Sequence, residues 1–375
     1  MIYLDSAATT LQKPPTVARA VARAMRELAS PGRGGHRAAM AAADVAFQCR
    51  QEAAALFHVP QPEQVVFTFN ATHGLNIAIK SLVRPGSRVV ISGYEHNAVT
   101  RPLHAIPDVE VAVAQAPLFC REEMVEAFRH QLEKGADVVV CNHVSNVFGY
   151  VLPMEEIAAL CRERKIPLIV DASQSAGCVP LDFQALGTDF VAMPGHKGLY
   201  GPQGTGLLLC KEPPTPLLEG GTGSESRLQT MPDFLPDRLE AGTHNMPGIA
   251  GLLEGLRWVE RQGVNKIAAR ERKLMERLTW GLNELSELRA FWSDETGVQT
   301  GVLSFHVKNR DCEMVGEMLA EAGFALRPGL HCAPLAHRSA GTLETGTVRA
   351  SLSAFNRMCE IDQFLCVVKK LLICS

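Results

Sequence analysis

The sequence predicts an α/β protein with a large, mainly parallel sheet and a smaller α+β domain at its carboxyl end. Helix and strand patterns alternate from residue 14 to about residue 250. The strand segments are apolar runs with little polar alternation, which is typical of sheets covered by helices on both faces. Pro- and Gly-rich stretches at 213–223 then interrupt the alternation. We therefore expect a large domain over residues 16–250 and a small domain over 251–375.

The large domain opens with a Pro-Pro-Thr start to a first helix and an Ala-rich second helix, and its strands are rich in Val and Ile. The expected helices are 14–30, 38–57, 72–82, 122–134 and 154–164. The expected strands are 64–69, 88–92, 109–114, 137–142, 166–171, 190–193 and 206–210. Ligands bind at the carboxyl ends of the strands in sheets of this kind. Loops that follow these strands are therefore the places to look for a site.

The rest of the chain reads as two long helices and then a mixed pattern. The helices are expected at 248–262 and 265–285, followed by a strand at 301–307, a helix at 311–322, a strand at 347–352 and a helix at 357–373. Neither an internal repeat nor a low-complexity segment is visible in the sequence.

Composition excludes several classes of function. The 375 residues are 46% hydrophobic and 21% charged, with a net charge of −3, so the sequence carries no electrostatic footprint for nucleic acid. No apolar stretch approaches the ~18 residues that a membrane span needs, and the start does not resemble an export signal. The 11 cysteines include no Cys-x-x-Cys pair, so no zinc ribbon is indicated. Cys141 and Cys210 lie in strand-like runs as small buried hydrophobes, and many free thiols predict a reducing cytoplasm.

The most informative pair of residues is Asp171 and Lys197. Asp171 ends an apolar strand and Lys197 lies in a Gly-rich loop just after another, so both should emerge at the carboxyl edge of the sheet. Each alone has an ordinary interpretation, as a helix cap and as a surface lysine. Together they meet the needs of a pyridoxal phosphate enzyme, in which a lysine carries the cofactor and an acid pairs with its pyridinium nitrogen. Partial desolvation beside other cations favours the neutral amine of such a lysine.

Six motifs carry a resemblance that covers nearly the whole chain. They are Glu95-His96, His143-Val-Ser-Asn146, Val170-Asp-Ala-Ser-Gln174, Gly195-His-Lys-Gly-Leu-Tyr-Gly-Pro202, Glu240-Ala-Gly-Thr243 and Arg327-Pro-Gly-Leu-His-Cys-Ala-Pro334. The sequence resembles the class V, fold-type I pyridoxal phosphate family, and within it the cysteine desulfurases of the SUF-type and selenocysteine lyase branch. The resemblance implies a fold-type I large domain and an N-terminal arm, residues 1–15, associated with the small domain.

The resemblance also implies a role for each matching residue. Lys197 would bind pyridoxal 5'-phosphate, Asp171 would pair with its ring nitrogen, and His96 would stack on the ring. Further cofactor contacts are implied for Ala71, Thr72, Asn146, Ser173, Gln174, His196 and Thr243. Substrate contacts are implied for Asn146, Arg349, Arg327 and His36. Ordinary alternatives are an exposed loop histidine for His96, strand-end caps for Asn146 and Gln174, and a structural salt bridge for Arg349.

The expected phosphate site departs from the family pattern at two positions. Residues 70–74 lie between a strand and a helix, where backbone N–H groups and the helix dipole can face a phosphate. Ala71 and Pro194 stand where relatives usually have hydroxyl residues, so backbone amides, His196 and Thr243 must contribute more. By resemblance, Thr243 reaches the phosphate of a neighbouring subunit, which implies a homodimer with shared active sites.

Cys332 distinguishes the desulfurases from aminotransferases. Its motif resembles the segment that carries the persulfide-forming cysteine, although Leu330 replaces a histidine of the relatives. A nearby cation such as Arg327 would favour the thiolate. The resemblance implies that Lys197 takes the α-proton of L-cysteine and that Cys332 attacks the substrate sulfur. Alanine and a persulfide result, and the sulfur then passes to an acceptor protein.

Three alternative functions stay open at the level of sequence. A selenocysteine lyase would use the same fold on L-selenocysteine. Another class V enzyme, an aminotransferase or a cystine C–S lyase, would not need Cys332. A noncatalytic sulfur- or metal-handling protein would need a site such as Cys359, Cys366 and Cys374 on the terminal helix, which we interpret instead as an apolar helix face with small thiols. We therefore expect no metal.

Overall fold

The structure, a computed structural model, describes residues 1–32 and 34–373. Its strands in chain order are β1 Ile2–Tyr3, β2 Val65–Thr68, β3 Arg88–Ser92, β4 Glu110–Ala114, β5 Val138–Asn142, β6 Leu168–Asp171, β7 Phe190–Pro194, β8 Gly206–Cys210, β9 Leu288–Phe291, β10 Val302–Val307, β11 Phe324–Ala325, β12 Arg327–Gly329 and β13 Thr347–Ser351. Its helices are α1 Pro15–Glu27, α2 Arg37–Phe57, α3 Ala71–Leu82, α4 Asn97–His104, α5 Arg121–Glu133, α6 Met154–Arg164, α7 Phe183–Leu186, α8 Met246–Gln262, α9 Val264–Asn283, α10 Cys312–Glu321, α11 Pro334–Ser339 and α12 Met358–Ile373.

The large sheet has seven strands in the order β2-β8-β7-β6-β5-β3-β4. Strands β3 to β7 pair in parallel with their neighbours, whereas β8 runs antiparallel to both β2 and β7. Val- and Ile-rich strands such as β5 are buried along their whole length because helices cover both faces of the sheet. The predicted α/β class with a mainly parallel sheet is confirmed.

The carboxyl-end part of the chain forms a second, antiparallel sheet in the order β12-β13-β10-β9. Its core combines apolar side chains from the sheet with those of α9, α10 and α12, such as Leu278, Phe305 and Phe364. The first strand of the chain, β1, pairs in parallel with β11 beside this core. The domain boundaries at residues 15 and 250 stay a prediction.

Most predicted elements appear, with ends displaced by a few residues. The sequence patterns do not predict α4, which is short and contains Pro102, nor the short elements α7, α11, β1, β9, β11 and β12. Such elements are too short for a periodic pattern to accumulate, and tertiary contacts decide them.

The interpretation of the terminal helix was wrong. Cys359 and Cys366 are exposed, while Ile361, Phe364 and Val368 form its buried face. Cys374 lies outside the described residues. By contrast, Cys141 and Cys210 are buried as predicted.

In the described parts of the chain, no helix combines the length and the apolar character that spanning a membrane would require.

Candidate active site

Three neighbouring parallel strands end together at one edge of the large sheet. Asn142 at the end of β5 is in register with Asp171 at the end of β6, and Asp171 is in register with Ala192 in β7. The loop after β7 carries Lys197, and Asp171 and Lys197 line the same cleft. The predicted juxtaposition of this carboxylate and this amine is therefore present in the structure.

Lys197 has the properties of a nucleophilic amine. Burial lowers the pKa of Lys197 to about 8, an effect that Asp171 opposes and the Arg349 cation reinforces. An added Cβ at the following residue, Gly198, would collide with the Ala176 carbonyl, so the loop can pass here only with glycine. Near neutral pH the neutral amine is therefore far more populated than in an exposed lysine, although it is still the minor form.

The N-terminal segment supports this loop from behind. Lys13 donates to the backbone oxygen of His196 over 2.8 Å, and Thr10 donates to the same oxygen over 3.0 Å. The Thr9 hydroxyl lies 3.0 Å from Nδ1 of His196. His196 itself lines the cleft, and burial together with the nearby Lys197 and Lys13 cations lowers its pKa to about 4. It is therefore neutral at physiological pH.

His96 is the N-cap of α4, and its ring orientation can be assigned. Its Nδ1 accepts the backbone N–H of Ala98 over 3.0 Å, so the neutral ring carries its proton on Nε2. Burial is the main effect and lowers the pKa of His96, which favours this neutral form. The ring lines the cleft with Asp171 and Lys197.

A buried carboxyl group holds the turn that presents His96. Glu95 accepts the Asn142 backbone N–H over 2.8 Å and the Ser92 hydroxyl over 2.5 Å. Burial raises the pKa of Glu95 to about 8, so this group is largely neutral near pH 7. The predicted Glu95-His96 motif thus joins a structural residue to a cleft residue.

The start of α3 forms the expected anion-binding end of the cleft. Asn70 is the N-cap and accepts the His73 backbone N–H over 2.9 Å. Ala71 and Thr72 follow in the first turn and line the cleft, as does Pro194. N–H groups at a helix start suit a phosphate. Backbone N–H groups and the Thr72 hydroxyl are therefore available to a phosphate here, although Ala71 and Pro194 supply no hydroxyl.

The remaining cleft residues connect it to other parts of the chain. Ser173 donates its backbone N–H to Asp171 over 2.9 Å. Gln174 donates to the Ala7 carbonyl over 2.9 Å. Asn146 donates its side-chain amide to the His331 carbonyl over 2.8 Å, and its own backbone oxygen accepts from Arg349 over 2.9 Å. Asn146 therefore joins the cleft to the Cys332 segment.

The two predicted substrate-binding arginines share one carboxylate that sequence reasoning did not select. Asp5 accepts from Arg349 over 3.0 Å and from Arg327 over 2.8 Å. Arg349 is 2% exposed and Asp5 8%. Asp5 stands in the conspicuous run Leu4-Asp5-Ser6-Ala7-Ala8, which was the available signal. A substrate carboxylate would meet a guanidinium pair that Asp5 already holds in place.

Cys332 lies far from the cleft in sequence and next to it in space. The carbonyl of Cys332 accepts the Asn97 backbone N–H over 2.8 Å, directly after His96. The Ser339 hydroxyl at the end of α11 donates to the Gly93 carbonyl over 2.6 Å. The Cys332 side chain is exposed.

Five predicted site residues do not line this cleft within a single chain. Cys332, Arg327 and Arg349 lie beside it, as described above, and the other two are His36 and Thr243. His36 is the exposed N-cap of α2 and accepts the Ala39 N–H over 3.4 Å. Thr243 lines a separate depression with Phe69 and His73. It follows Glu240, which is buried in a bidentate pair with Arg50 at 2.8 and 2.6 Å. Their roles stay predictions.

The cleft can be tested for its fit to pyridoxal phosphate. Nine buried atoms of the described side chains have no hydrogen-bond partner, and two of them, Asn146 Oδ1 and Arg349 Nε, belong to predicted site residues. Native proteins rarely leave such atoms unpaired, so a bound group is expected to satisfy atoms of this kind. The carboxylate, the amine, the stacking imidazole and the helix start match the ring nitrogen, the aldehyde, the ring face and the phosphate. The residues present therefore fit this cofactor.

A parallel sheet with a lysine and a carboxylate at its carboxyl edge defines a fold-type I enzyme class that works with pyridoxal phosphate. Comparison with known proteins agrees. The model of the aminotransferase class-V family matches residues 2–364, and the chain belongs to that family.

The chain is similar to relatives over nearly its full length. It is 32% identical to a probable cysteine desulfurase of Pyrococcus abyssi, covering 99% of this chain and 94% of the relative. It is 32% identical to a cysteine desulfurase of Escherichia coli O157:H7, covering 97% and 92%. An apo structure of a cysteine desulfurase from Thermococcus onnurineus NA1 superposes with a TM-score of 0.91 at 30% identity, covering 100% and 95%. The resemblance drawn from the motifs is confirmed.

Proposed function

We propose that this protein is a pyridoxal phosphate-dependent cysteine desulfurase, which converts L-cysteine to L-alanine and keeps the sulfur as a persulfide on Cys332. The observation that carries the proposal is the docking of the Cys332 carbonyl on the Asn97 N–H, next to His96 and the Lys197 cleft. An aminotransferase does not need a cysteine at that place.

The cleft residues have distinct tasks in this reaction. Pyridoxal phosphate, when bound, supplies an electron sink for the pair released at the substrate α-carbon. Asp171 pairs with its ring nitrogen, Lys197 binds it, and the first turn of α3 takes its phosphate. Once free, Lys197 accepts the α-proton, because its lowered pKa makes the neutral amine available. His96 places an Nε2 proton donor in the cleft.

The sulfur step follows from Cys332. Its thiolate attacks the substrate sulfur, a new S–S bond forms, and the carbon–sulfur bond breaks with its electron pair on the carbon side. Protonation of that carbon completes alanine. L-Cysteine and the Cys332 thiol thus give L-alanine and the Cys332 persulfide, so the atoms balance without an external oxidant.

Three further parts belong to the proposal. The exposed Cys332 passes its sulfur to an acceptor protein. The protein is a cytoplasmic homodimer, in which Thr243 reaches the cofactor phosphate of the neighbouring subunit. Arg349 and Arg327 bind the substrate carboxylate beside Asp5, through the charge-assisted hydrogen bonds that guanidinium groups form with carboxylates.

The test is to supply L-cysteine and L-selenocysteine separately and to quantify alanine, sulfide or selenide, and protein persulfide. We expect alanine and a persulfide on the peptide that contains Cys332, in equal amounts in the first turnover. Cys332→Ser should abolish both with L-cysteine, while Cys366→Ser, a change at another exposed thiol, should leave them unchanged. Pyruvate as product, or full activity of Cys332→Ser, would overturn the proposal. A strong preference for L-selenocysteine would instead indicate a selenocysteine lyase.

A further inference from the structure

A chain of hydrogen bonds lies directly behind the Cys332 loop. His331 Nε2 is 2.9 Å from the Arg327 carbonyl, and His331 Nδ1 is 3.2 Å from His337 Nε2. His337 Nδ1 is 2.8 Å from the Thr342 hydroxyl. The two rings are nearly parallel, at 10°. These hydrogen bonds therefore connect β12, the Cys332 loop, α11 and the segment that follows α11.

The proton on each ring can be assigned because a carbonyl only accepts. His331 must carry its proton on Nε2 to bond Arg327, so its Nδ1 is an acceptor. His337 must then donate from Nε2, and its Nδ1 accepts from the Thr342 hydroxyl. This arrangement of two neutral rings satisfies all three bonds of the chain, with the Thr342 proton on the 2.8 Å bond to His337 Nδ1 instead of on the longer, 3.5 Å contact with the His337 carbonyl.

Burial keeps both rings neutral. His337 is 0% exposed and His331 8%. Burial lowers the pKa of His337 to about 4 and that of His331 to about 3, with Arg349 adding to the effect in both. The arrangement is therefore complete throughout the physiological pH range.

The loop that these bonds support has an unfavourable backbone. His331 and Cys332 have φ values of 52° and 56°, in the left-handed region that residues with a side chain rarely adopt. Two consecutive residues of this kind persist only when their surroundings impose the conformation. Asn146 and Asn97 hold the two backbone carbonyls of this pair. Among the described hydrogen bonds of these two residues, the only others are those of the His331 ring.

We propose that His331, His337 and Thr342 form a positioning relay that fixes the Cys332 loop, and so sets the rate of the sulfur step without acting on substrate binding or proton removal. The role in sulfur transfer rests on the proposed desulfurase activity. The side chains of the relay do not line the cleft, and they act through the loop. A thiol displaced by about 1 Å loses about a hundredfold in rate, which gives the scale of the effect.

The first experiment compares variants at two points of the relay. His337→Phe keeps the ring shape and removes both bonds, Thr342→Val removes one hydroxyl, and His337→Gln keeps one donor and one acceptor. We expect His337→Phe to slow persulfide formation by about 10- to 100-fold, Thr342→Val to slow it less, and His337→Gln to recover part of the rate. The KM for L-cysteine and the rate of α-proton exchange should stay within about twofold. His306→Phe, in β10, is the matched control.

The second experiment does not depend on activity. Hydrogen exchange of the Asn97 and Ala333 amides, followed by mass spectrometry of the holoenzyme, reports whether the loop stays docked, since these amides bond Cys332 and Leu330. We expect faster exchange there in His337→Phe and in Thr342→Val, and unchanged exchange in His306→Phe.

Unchanged exchange and unchanged persulfide formation in both relay variants would overturn the proposal. Equal slowing of proton exchange and sulfur transfer would do the same, because it would show a general structural role. If His337→Phe does not fold, Thr342→Val decides. If the wild-type enzyme releases no sulfur from L-cysteine, the proposed function fails, while the amide exchange still decides whether the relay holds the loop.

Discussion

The cleft at the sheet edge and the Cys332 loop are neighbours that are held by different forces. Cleft residues such as Asp171 stand at the ends of buried parallel strands, where a continuous ladder fixes them. The Cys332 loop instead depends on a few separate hydrogen bonds from Asn97, Asn146 and the His331–His337 pair. In the proposed mechanism, the residues that handle protons are therefore held by the rigid sheet, whereas the residue that takes the sulfur is held on an attached segment. Variants in the two regions should therefore separate the two steps.

The largest effect is expected from the cleft. Lys197→Ala should lower α-proton exchange by about a thousandfold or more, because it removes the general base, and it should abolish persulfide formation as well. The measurement is deuterium exchange into the α-position of L-alanine, which involves no sulfur chemistry. Lys80→Ala, an exposed helix residue, serves as the control. Normal exchange in Lys197→Ala would contradict the contrast drawn above.

The second largest effect is expected from Asp5, which contacts both Arg349 and Arg327. Asp5→Asn removes the carboxylate that both Arg349 and Arg327 contact, and it leaves Arg349 buried with no counter-ion in the described hydrogen-bond pattern. We expect a loss of about 3 kcal/mol in the free energy of unfolding and a raised KM for L-cysteine.

Asp362→Asn, which breaks the half-exposed pair with Arg277, should cost less than about 1 kcal/mol. Denaturant unfolding and steady-state kinetics check both variants. A lower KM in Asp5→Asn would show that Asp5 competes with the substrate instead of ordering the arginines.

We expect the free energy of unfolding to depend on pH through His337. The pKa of His337 is lowered to about 4, below the ordinary value of about 6.5. As pH falls from 7 to 5, the unfolded chain binds a proton at this residue and the folded chain does not. Wild type should therefore lose about 2 kcal/mol of stability relative to His337→Phe over this range. Unfolding at several pH values measures this difference, and a constant difference would mean that His337 has the same pKa in the folded and the unfolded chain.

The smallest expected effect concerns the subunit contact. Thr243→Val should weaken pyridoxal phosphate binding by about tenfold, since one hydroxyl bond to a charged group is lost. The measurement is cofactor dissociation followed by absorbance, with Thr215→Val as control. Unchanged affinity in a protein that sediments as a dimer would remove Thr243 from the site, and sedimentation as a monomer would contradict the shared-site interpretation.

The sequence by itself determined the sheet and the placement of Asp171 and Lys197 at one edge of it. Asp171 ends one apolar strand and Lys197 lies in the loop after the next strand, and the ends of parallel strands meet at one edge whatever the rest of the chain does. The sequence did not reveal α4, Asp5 between the two arginines, or the His331–His337–Thr342 relay. Asp5 and Arg349 are 344 positions apart, and Asn97 and Cys332 are 235 apart. Local patterns record propensity and burial, whereas contacts over such separations exist only once the two sheets are packed together.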